Sequence, residues 1–350
     1  MAIEPDIDVI EDSVTVNEVT PGMASRIAVI GAFDSEVTDL TLVQNETIAH
    51  QIFGTTGTVD AFKGTDAIDE LFYGASSLLV ANITTYTTGE NPTAETTLTN
   101  DKLQSALTLL KDEVFDILFI AEELTDAAQT IVSTWLAAEF KNKFAHGQVA
   151  QLQKANAAAY TTSIATFKKQ VYWMCTQAYN GLSLNQSAAL MAGYIASLPV
   201  NRSLTFKEIP LINSVSPNYS TEAGEIGAKL LELNVPFIRA RDRLSQKYIC
   251  VNSKLPDELD LYINRVRDYV VNRLEAERLL GESIGSNDLE SAASIAENVR
   301  EECVTDLELL EDIIYSVKKS SSNCVEIVLE KLVFNDVITK VIVHYSIEVQ

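Results

Sequence analysis

The chain is poor in histidine, cysteine and positive charge, and each shortage excludes something. It has three histidines, His50, His146 and His344, and four cysteines, Cys175, Cys250, Cys303 and Cys324, with no CxxC pair. A zinc site of the usual cysteine and histidine spacing is therefore not expected. Nor is a disulfide framework, because the cysteines are scattered among apolar neighbours and read as reduced core residues. Lysine and arginine together number 26 against 49 acids, which leaves a net charge of −23. Such a field repels phosphate, so nucleic acid is not expected as a partner. No apolar run reaches the ~18 residues of a transmembrane helix. The opening MAIEPDIDVIEDSV has neither the basic nor the apolar region of a secretory leader. No membrane contact is expected either.

What remains is a globular composition, 47% apolar and 21% charged over 350 residues, enough for about two domains. Arg26-Ile-Ala-Val-Ile-Gly31, Ser77 to Ile83 and Val114 to Ala121 are near-continuous apolar runs, the signature of strands buried on both faces. Between them lie short helical or loop pieces at Gln51 to Gly54 and Asp66 to Gly74, and a loop or hairpin rich in Thr, Gly, Asn and Pro at Thr84 to Thr99. Lys102 to Lys111 is expected to be a helix with Leu103, Leu107 and Leu110 inward. Thr125 caps a second helix, with Ala128, Ile131, Trp135 and Ala138 buried and Gly147 as its stop. Lys168 to Cys175 reads as a strand and Ser187 to Ala196 as a small-residue helix. This alternation predicts an α/β fold with a layered, mostly parallel sheet over residues 21–255.

Beyond Pro256 the pattern changes to an α+β unit spanning 256–350. Asp257 to Leu280 is expected as a long helix with Leu259, Ile263, Val266, Val270 and Leu274 inward. Asn287 and Glu290 open a further helix with Leu289, Ala292, Ala296, Val299 and Cys303 on its buried face, and Asp306 to Ile314 continues helically. Two β segments follow, Cys324 to Leu332 and Val337 to Val349. The last, residues 337–349, alternates cleanly and places Val341, Val343, Tyr345 and Ile347 on one side. Residues 1–20 form the mirror case. They carry short alternating sets, Ile7 with Val9 and Val14 with Val16, and are too small to build a core. Both segments need a partner strand from elsewhere. Charge is uneven too. Up to position 120 the only basic residues are Arg26, Lys63, Lys102 and Lys111 against about 20 acids, whereas Arg239, Arg241 and Arg243 would share one face of an extended strand. A basic interface stripe and an ordinary solvated surface are both open readings of those arginines.

No motif points to catalysis or to a cofactor. Gly281-Glu-Ser-Ile-Gly285 matches G-x-S-x-G, but a long helix precedes it where a nucleophile elbow needs a strand. Gly57 to Thr65 lacks the Gly-Lys-Ser/Thr end of a phosphate loop, and Gly31 opens no G-x-G-x-x-G. No metal site, catalytic residue or cofactor is expected, and the chain does not read as an enzyme.

The order of segments resembles the tail sheath proteins of contractile phage tails and related injection systems. Pro21-Gly22 followed by Arg26 to Gly31 is similar to the family's opening arm and first strand. Gln51-Ile-Phe-Gly54, Ala67 to Gly74 and Leu78 to Ile83 are similar to its run of helix, glycine and buried strand. Ala188 to Leu198 with Pro199 to Lys207, the step around Leu230, Leu233, Asn234 and Val235, Tyr262 to Arg267, the Gly281 loop and the final β pair complete the resemblance. The chain departs from many members in having no room for extra outer domains. The resemblance implies a helical homopolymer of stacked six-fold rings around an inner tube. The arm 1–20 and the strand 337–349 would join the sheets of neighbouring subunits, with baseplate and tail terminator proteins as further partners. It implies a place in a virion tail or equivalent injection particle, assembled in the bacterial cytoplasm. It also implies a C-terminal domain facing the tube, which would bring Glu290, Glu297 and Glu301 to the tube surface. A sheath-like cap or terminator, and an α/β enzyme of another class, are the alternative readings.

Overall fold

The computed structural model describes residues 25–55, 61–88, 93–122, 124–143, 148–153, 171–175, 177–241, 247–254, 260–276, 288–321 and 324–334. In chain order they form β1 (Arg26–Gly31), β2 (Thr41–Val43), α1 (Glu46–Phe53), α2 (Lys63–Asp66), α3 (Ile68–Leu71), β3 (Ser77–Asn82), β4 (Thr85–Tyr86), β5 (Ala94–Glu95), α4 (Asn100–Leu109), β6 (Ile117–Ile120) and α5 (Asp126–Lys143). There follow β7 (Gln148–Gln153), β8 (Val171–Cys175), β9 (Ala178–Tyr179), α6 (Leu184–Ser197), β10 (Val215–Ser216), α7 (Ile226–Glu232), β11 (Ile238–Ala240), β12 (Tyr248–Cys250), α8 (Leu261–Ala276), α9 (Asp288–Glu301), β13 (Asp312–Ser321) and β14 (Cys324–Val333).

The apolar runs form the middle of a six-stranded sheet in the order β2-β3-β1-β6-β7-β8. β1 lies parallel to both β3 and β6, β6 to β7 and β7 to β8, while β2 closes one edge antiparallel. Strand alternation then divides two cores. Ile27 and Val29 of β1 face a cluster with Phe53 of α1, Ile68 and Leu71 of α3 and the length of α6. Ala28 and Ile30 face the opposite cluster, with Leu103 and Leu107 of α4 and Val132 and Leu136 of α5. Both faces are covered, which is why these strands read as unbroken apolar runs.

Side chains close the helix ends as the sequence pattern suggests. Thr99 accepts from the Lys102 amide to start α4, Thr125 from the Ala128 amide to start α5, and Ser183 with Gln186 forms a capping box at α6. The step at Leu230, Asn234 and Val235 is a Schellman ending of α7. The Val235 amide donates to Leu230 O at 2.9 Å and the Asn234 amide to Leu231 O at 3.1 Å. Asn234 takes the left-handed φ of 53° that this ending needs. Leu230 and Val235 then pack together with Phe237 and Val251.

Two glycines let backbones touch. A Cβ on Gly193, inside α6, would stand 2.2 Å from Glu70 O of α3, and one on Gly74 would stand 2.2 Å from Gly193 O. No larger residue permits that approach.

A separate cluster gathers Tyr262, Val266 and Val270 of α8, Val299 of α9, Cys303, Leu309, Leu310 and Ile313, and Val200 joins it. Here the structure corrects one expectation. Asp306 to Ile314 does not continue the helix. A π-helical turn at Glu302–Asp306 ends it, Glu308 takes a left-handed φ of 47°, and the chain leaves as β13. That turn lets Leu309 and Leu310 both point inward, which a continuing helix would not. β14 consequently pairs with β13, from Asp312↔Val333 to Ser321↔Cys324, in an antiparallel hairpin with register shifts at Ile314/Tyr315 and Lys319/Ser321.

Two buried stripes also differ from expectation. In α5 the deeply buried apolar positions are Ala128, Val132 and Leu136, beside buried Gln129 and Ser133, with Ile131 and Trp135 at the margin. In α9, Leu289 is exposed while Ala292, Ala296 and Val299 are buried. Pro21-Gly22, Gly147, Leu259, Gly281 to Gly285, Asn287 and the segments 1–20 and 337–349 lie outside the described residues.

Candidate functional site

Open α/β sheets take ligands in the crevice beyond the carboxyl ends of their strands, at the point where strand order reverses. In this chain β1 sits at that point, between β3 and β6. The crevice is filled by the chain itself. The Gly64 amide of α2 donates to Ala32 O at 2.8 Å, and a Cβ on Gly64 would stand 2.6 Å from the Phe33 ring. Thr65 Oγ1 donates to Phe53 O and accepts from the Asp34 amide. On the other side, Asn82 Oδ1 accepts from the Phe33 and Thr84 amides, and its amide group donates to Ser35 O and Val37 O. A shallow hollow of about 310 Å³ remains beside Ala61, Thr96 and Leu98, where Lys63 and Glu122 pair across it. The polar groups that would receive a phosphate are thus satisfied by protein.

Edges and the C-terminal helix offer more. The β13–β14 hairpin is a two-stranded sheet of ten-residue strands, and among the described residues no third strand pairs with either outer edge. Unpaired amide and carbonyl groups along such edges template the addition of a strand. α9 covers one face of the hairpin. All three expected tube contacts, Glu290, Glu297 and Glu301, are exposed, and Glu297 is also bonded to neighbours in the chain. Its carboxylate accepts from Tyr315 OH at 2.8 Å and from Arg300 at 3.0 Å, while Arg300 reaches Asp312 at 2.8 Å. This network ties α9 to β13. On the other side of α9, Arg273 of α8 donates twice to Glu302, which also accepts from Tyr269 OH at 2.6 Å. The Arg273 guanidinium holds the Glu302 carboxyl below its ordinary range.

Of the three arginines of the stripe, Arg239 and Arg241 lie within the described residues. Arg239 lies on β11 opposite Ile249, half-buried, and its Nε has no hydrogen-bond partner among the described residues. Arg241 is exposed just past the strand, its amide bonded to Lys247 O. Arg243 lies outside the described residues, as do all the expected strand-pairing residues, Ile7, Val9, Val14, Val16, Val341, Val343, Tyr345 and Ile347.

A buried cation ties α8 to the end of α6. Arg265 of α8 donates to Leu198 O at 3.0 Å and Pro199 O at 3.4 Å, just past α6. It also lies within electrostatic reach of Asp116, which accepts from the Arg26 amide at the start of β1. Burial pushes the guanidinium down to about 10, and Asp116 opposes that.

One cluster escaped the sequence reading. Glu46 and His50 of α1 and Asp69 of α3 bring three potential metal-ligand atoms within 4.8 Å of one another. The four-residue spacing of Glu46 and His50 was visible; the arrival of Asp69 depends on how α3 packs. Among the described residues no helix is long and apolar enough to cross a membrane.

No protein-family model matches the chain, and no curated protein does. Solved structures do. A sheath tail protein of Desulfitobacterium hafniense superposes with a TM-score of 0.65 at 12% identity, covering 86% of this chain and 92% of that one. A chain of the contracted helical sheath of the anti-feeding prophage gives 0.65 at 12% identity, over 99% of both chains. A chain of that particle's six-fold symmetrised baseplate structure gives 0.68 at 14% identity, over 100% of both. The chain has the fold of contractile tail sheath proteins.

Proposed function

We propose that this chain is a structural subunit of a contractile tail sheath. The observation that carries the reading is end-to-end likeness, over 99% of both chains, to a subunit of a contracted sheath. The β13–β14 hairpin supports it independently, because a ten-residue strand pair to which no third strand pairs among the described residues suits strands donated by neighbours. In this reading the arm 1–20 and the strand 337–349 lie along the hairpins of adjacent subunits. The contacts are heterologous, closing six-fold within a ring and not closing between rings, so stacked six-fold rings build a helical polymer around an inner tube. The subunit catalyses nothing. The energy of contraction is stored in the extended lattice at assembly, and baseplate and terminator proteins start and end the polymer. The C-terminal unit 256–350 faces the tube, and Glu290 and Glu301 meet basic groups on it. The particle is a virion tail or an equivalent injection device assembled in the bacterial cytoplasm.

Negative-stain electron microscopy of the full chain beside a variant lacking residues 1–20 tests this. Long hollow cylinders that vanish with the truncation are expected. Rings that never extend would favour a cap or terminator, and a monodisperse monomer in both samples would refute assembly through the arm.

A further inference from the structure

We propose that Glu46, His50 and Asp69 form a binding site for a divalent transition-metal cation of the zinc class, which braces α1 against α3. The argument begins with the histidine tautomer. His50 Nδ1 lies 2.8 Å from Gly54 O, and a carbonyl oxygen only accepts, so Nδ1 carries the hydrogen. Gly54 holds that carbonyl in place as the left-handed cap of α1, with φ 84°. In the neutral ring, Nε2 then presents a lone pair. It faces Asp69 Oδ1 at 2.6 Å and Glu46 Oε1 at 3.8 Å. Three potential ligand atoms converge on one point. A proton on Nε2 could serve Asp69 alone. A metal ion serves all three.

The geometry needs little adjustment. Donor atoms about 2.0–2.1 Å from a tetrahedral zinc ion stand about 3.4 Å apart. The His50–Asp69 separation of 2.6 Å must widen and the His50–Glu46 separation of 3.8 Å must close, both by less than an ångström. The two carboxylates are exposed enough to do so by side-chain rotation, while His50 is largely buried. Donation of the second ring nitrogen to a backbone carbonyl is what orients metal-bound histidines generally. A solvent molecule completes the shell. Glu46 and His50 sit one helical turn apart, so they share one face of α1. The surroundings are anionic as well. Asp66 and Glu70 add further carboxyl groups to the same neighbourhood. This potential attracts a cation whether or not the chain polymerises, so the inference goes beyond the sheath reading.

The test uses the full chain, stripped with chelator and dialysed. Titration with CoCl2 is expected to develop visible d–d absorption that saturates at one ion per chain and is displaced by ZnCl2. Calorimetric titration with ZnCl2 should show affinity at least tenfold weaker in each of His50→Gln, Glu46→Gln and Asp69→Asn, with Glu222→Gln unchanged. ZnCl2 should raise the melting temperature of the unmodified chain and not of these three variants. Absence of a saturable cobalt band in the unmodified chain would overturn the proposal and leave a hydrogen-bonded His50–Asp69 pair. So would zinc affinity that survives all three substitutions. The cobalt measurement needs no variant and stands even if one fails to fold.

Discussion

Replacing Gly193 by alanine sets two opposing effects against each other, and the structure decides the sign. Gly193 lies inside α6, where alanine is intrinsically better than glycine by about 1 kcal/mol. Packing works the other way. The new Cβ would stand 2.2 Å from Glu70 O and 3.1 Å from Leu71 O, where carbon and oxygen normally stay about 3.3 Å apart or more. The obstacle is backbone, so no rotamer change relieves it. α3 must retreat by about 1 Å, and with it Ile68 and Leu71, both fully buried. Overpacking of a close-packed site costs about 1–3 kcal/mol, and a backbone obstacle belongs at the upper end. The net expectation is a loss of about 2 kcal/mol, read as a lower urea midpoint at unchanged slope on the unassembled subunit. Unchanged or increased stability would refute the close crossing of α3 and α6.

Three further outcomes are expected. Glu70 is raised to about 7 by burial from an ordinary 4.5, so between those values the folded chain binds more protons than the unfolded chain, and stability is lost as pH rises through about 7. The full shift corresponds to about 3 kcal/mol, which partial exposure reduces to about 1–2, so Glu70→Gln should stabilise by that amount at pH 8 and by nothing below pH 4 in paired pH-dependent melts. Arg265→Met should cost about 3 kcal/mol, because it removes the cation near buried Asp116 and frees two carbonyls. Adding Asp116→Asn should return part of the loss in urea titrations, and strict additivity would argue against the coupling. In α9, Glu290→Lys with Glu301→Lys should leave the melting temperature unchanged and abolish low-salt co-sedimentation with the tube, whereas Glu297→Lys should lower the melting temperature by severing Arg300 and Tyr315.

What the sequence showed and what it hid follow from locality. β1, β3 and β6 were legible because strands buried on both faces are written as unbroken apolar runs. α6 was legible as a small-residue helix, although burial on all its sides, not one, appears only when α3 and the sheet close around it. The stripe of α5 was misplaced because its sequence offers two apolar faces, one through Ile131 and Trp135 and one through Val132 and Leu136, and only the sheet selects between them. β13 was missed because Leu307, Leu310 and Ile314 keep helical spacing across a turn set by the backbone of Glu308. The metal cluster joins an adjacent pair to a residue 19 positions away, and no local pattern announces it.

The place of β1 in the sheet has a mechanical consequence. Tension applied to anything attached ahead of Ser25 enters the molecule at Arg26, the first residue of a strand gripped on both sides, by β3 from Arg26↔Ser77 to Gly31↔Asn82 and by β6 from Ile27↔Ile117 to Ile30↔Ile120. Because β1 runs along the direction of pull, its ladder bonds are loaded together in shear instead of opening one by one. In the proposed polymer, a neighbour's strand added along the edge of the hairpin would peel far more easily when pulled across the strands. Under load, joints between molecules should therefore yield long before the α/β body does.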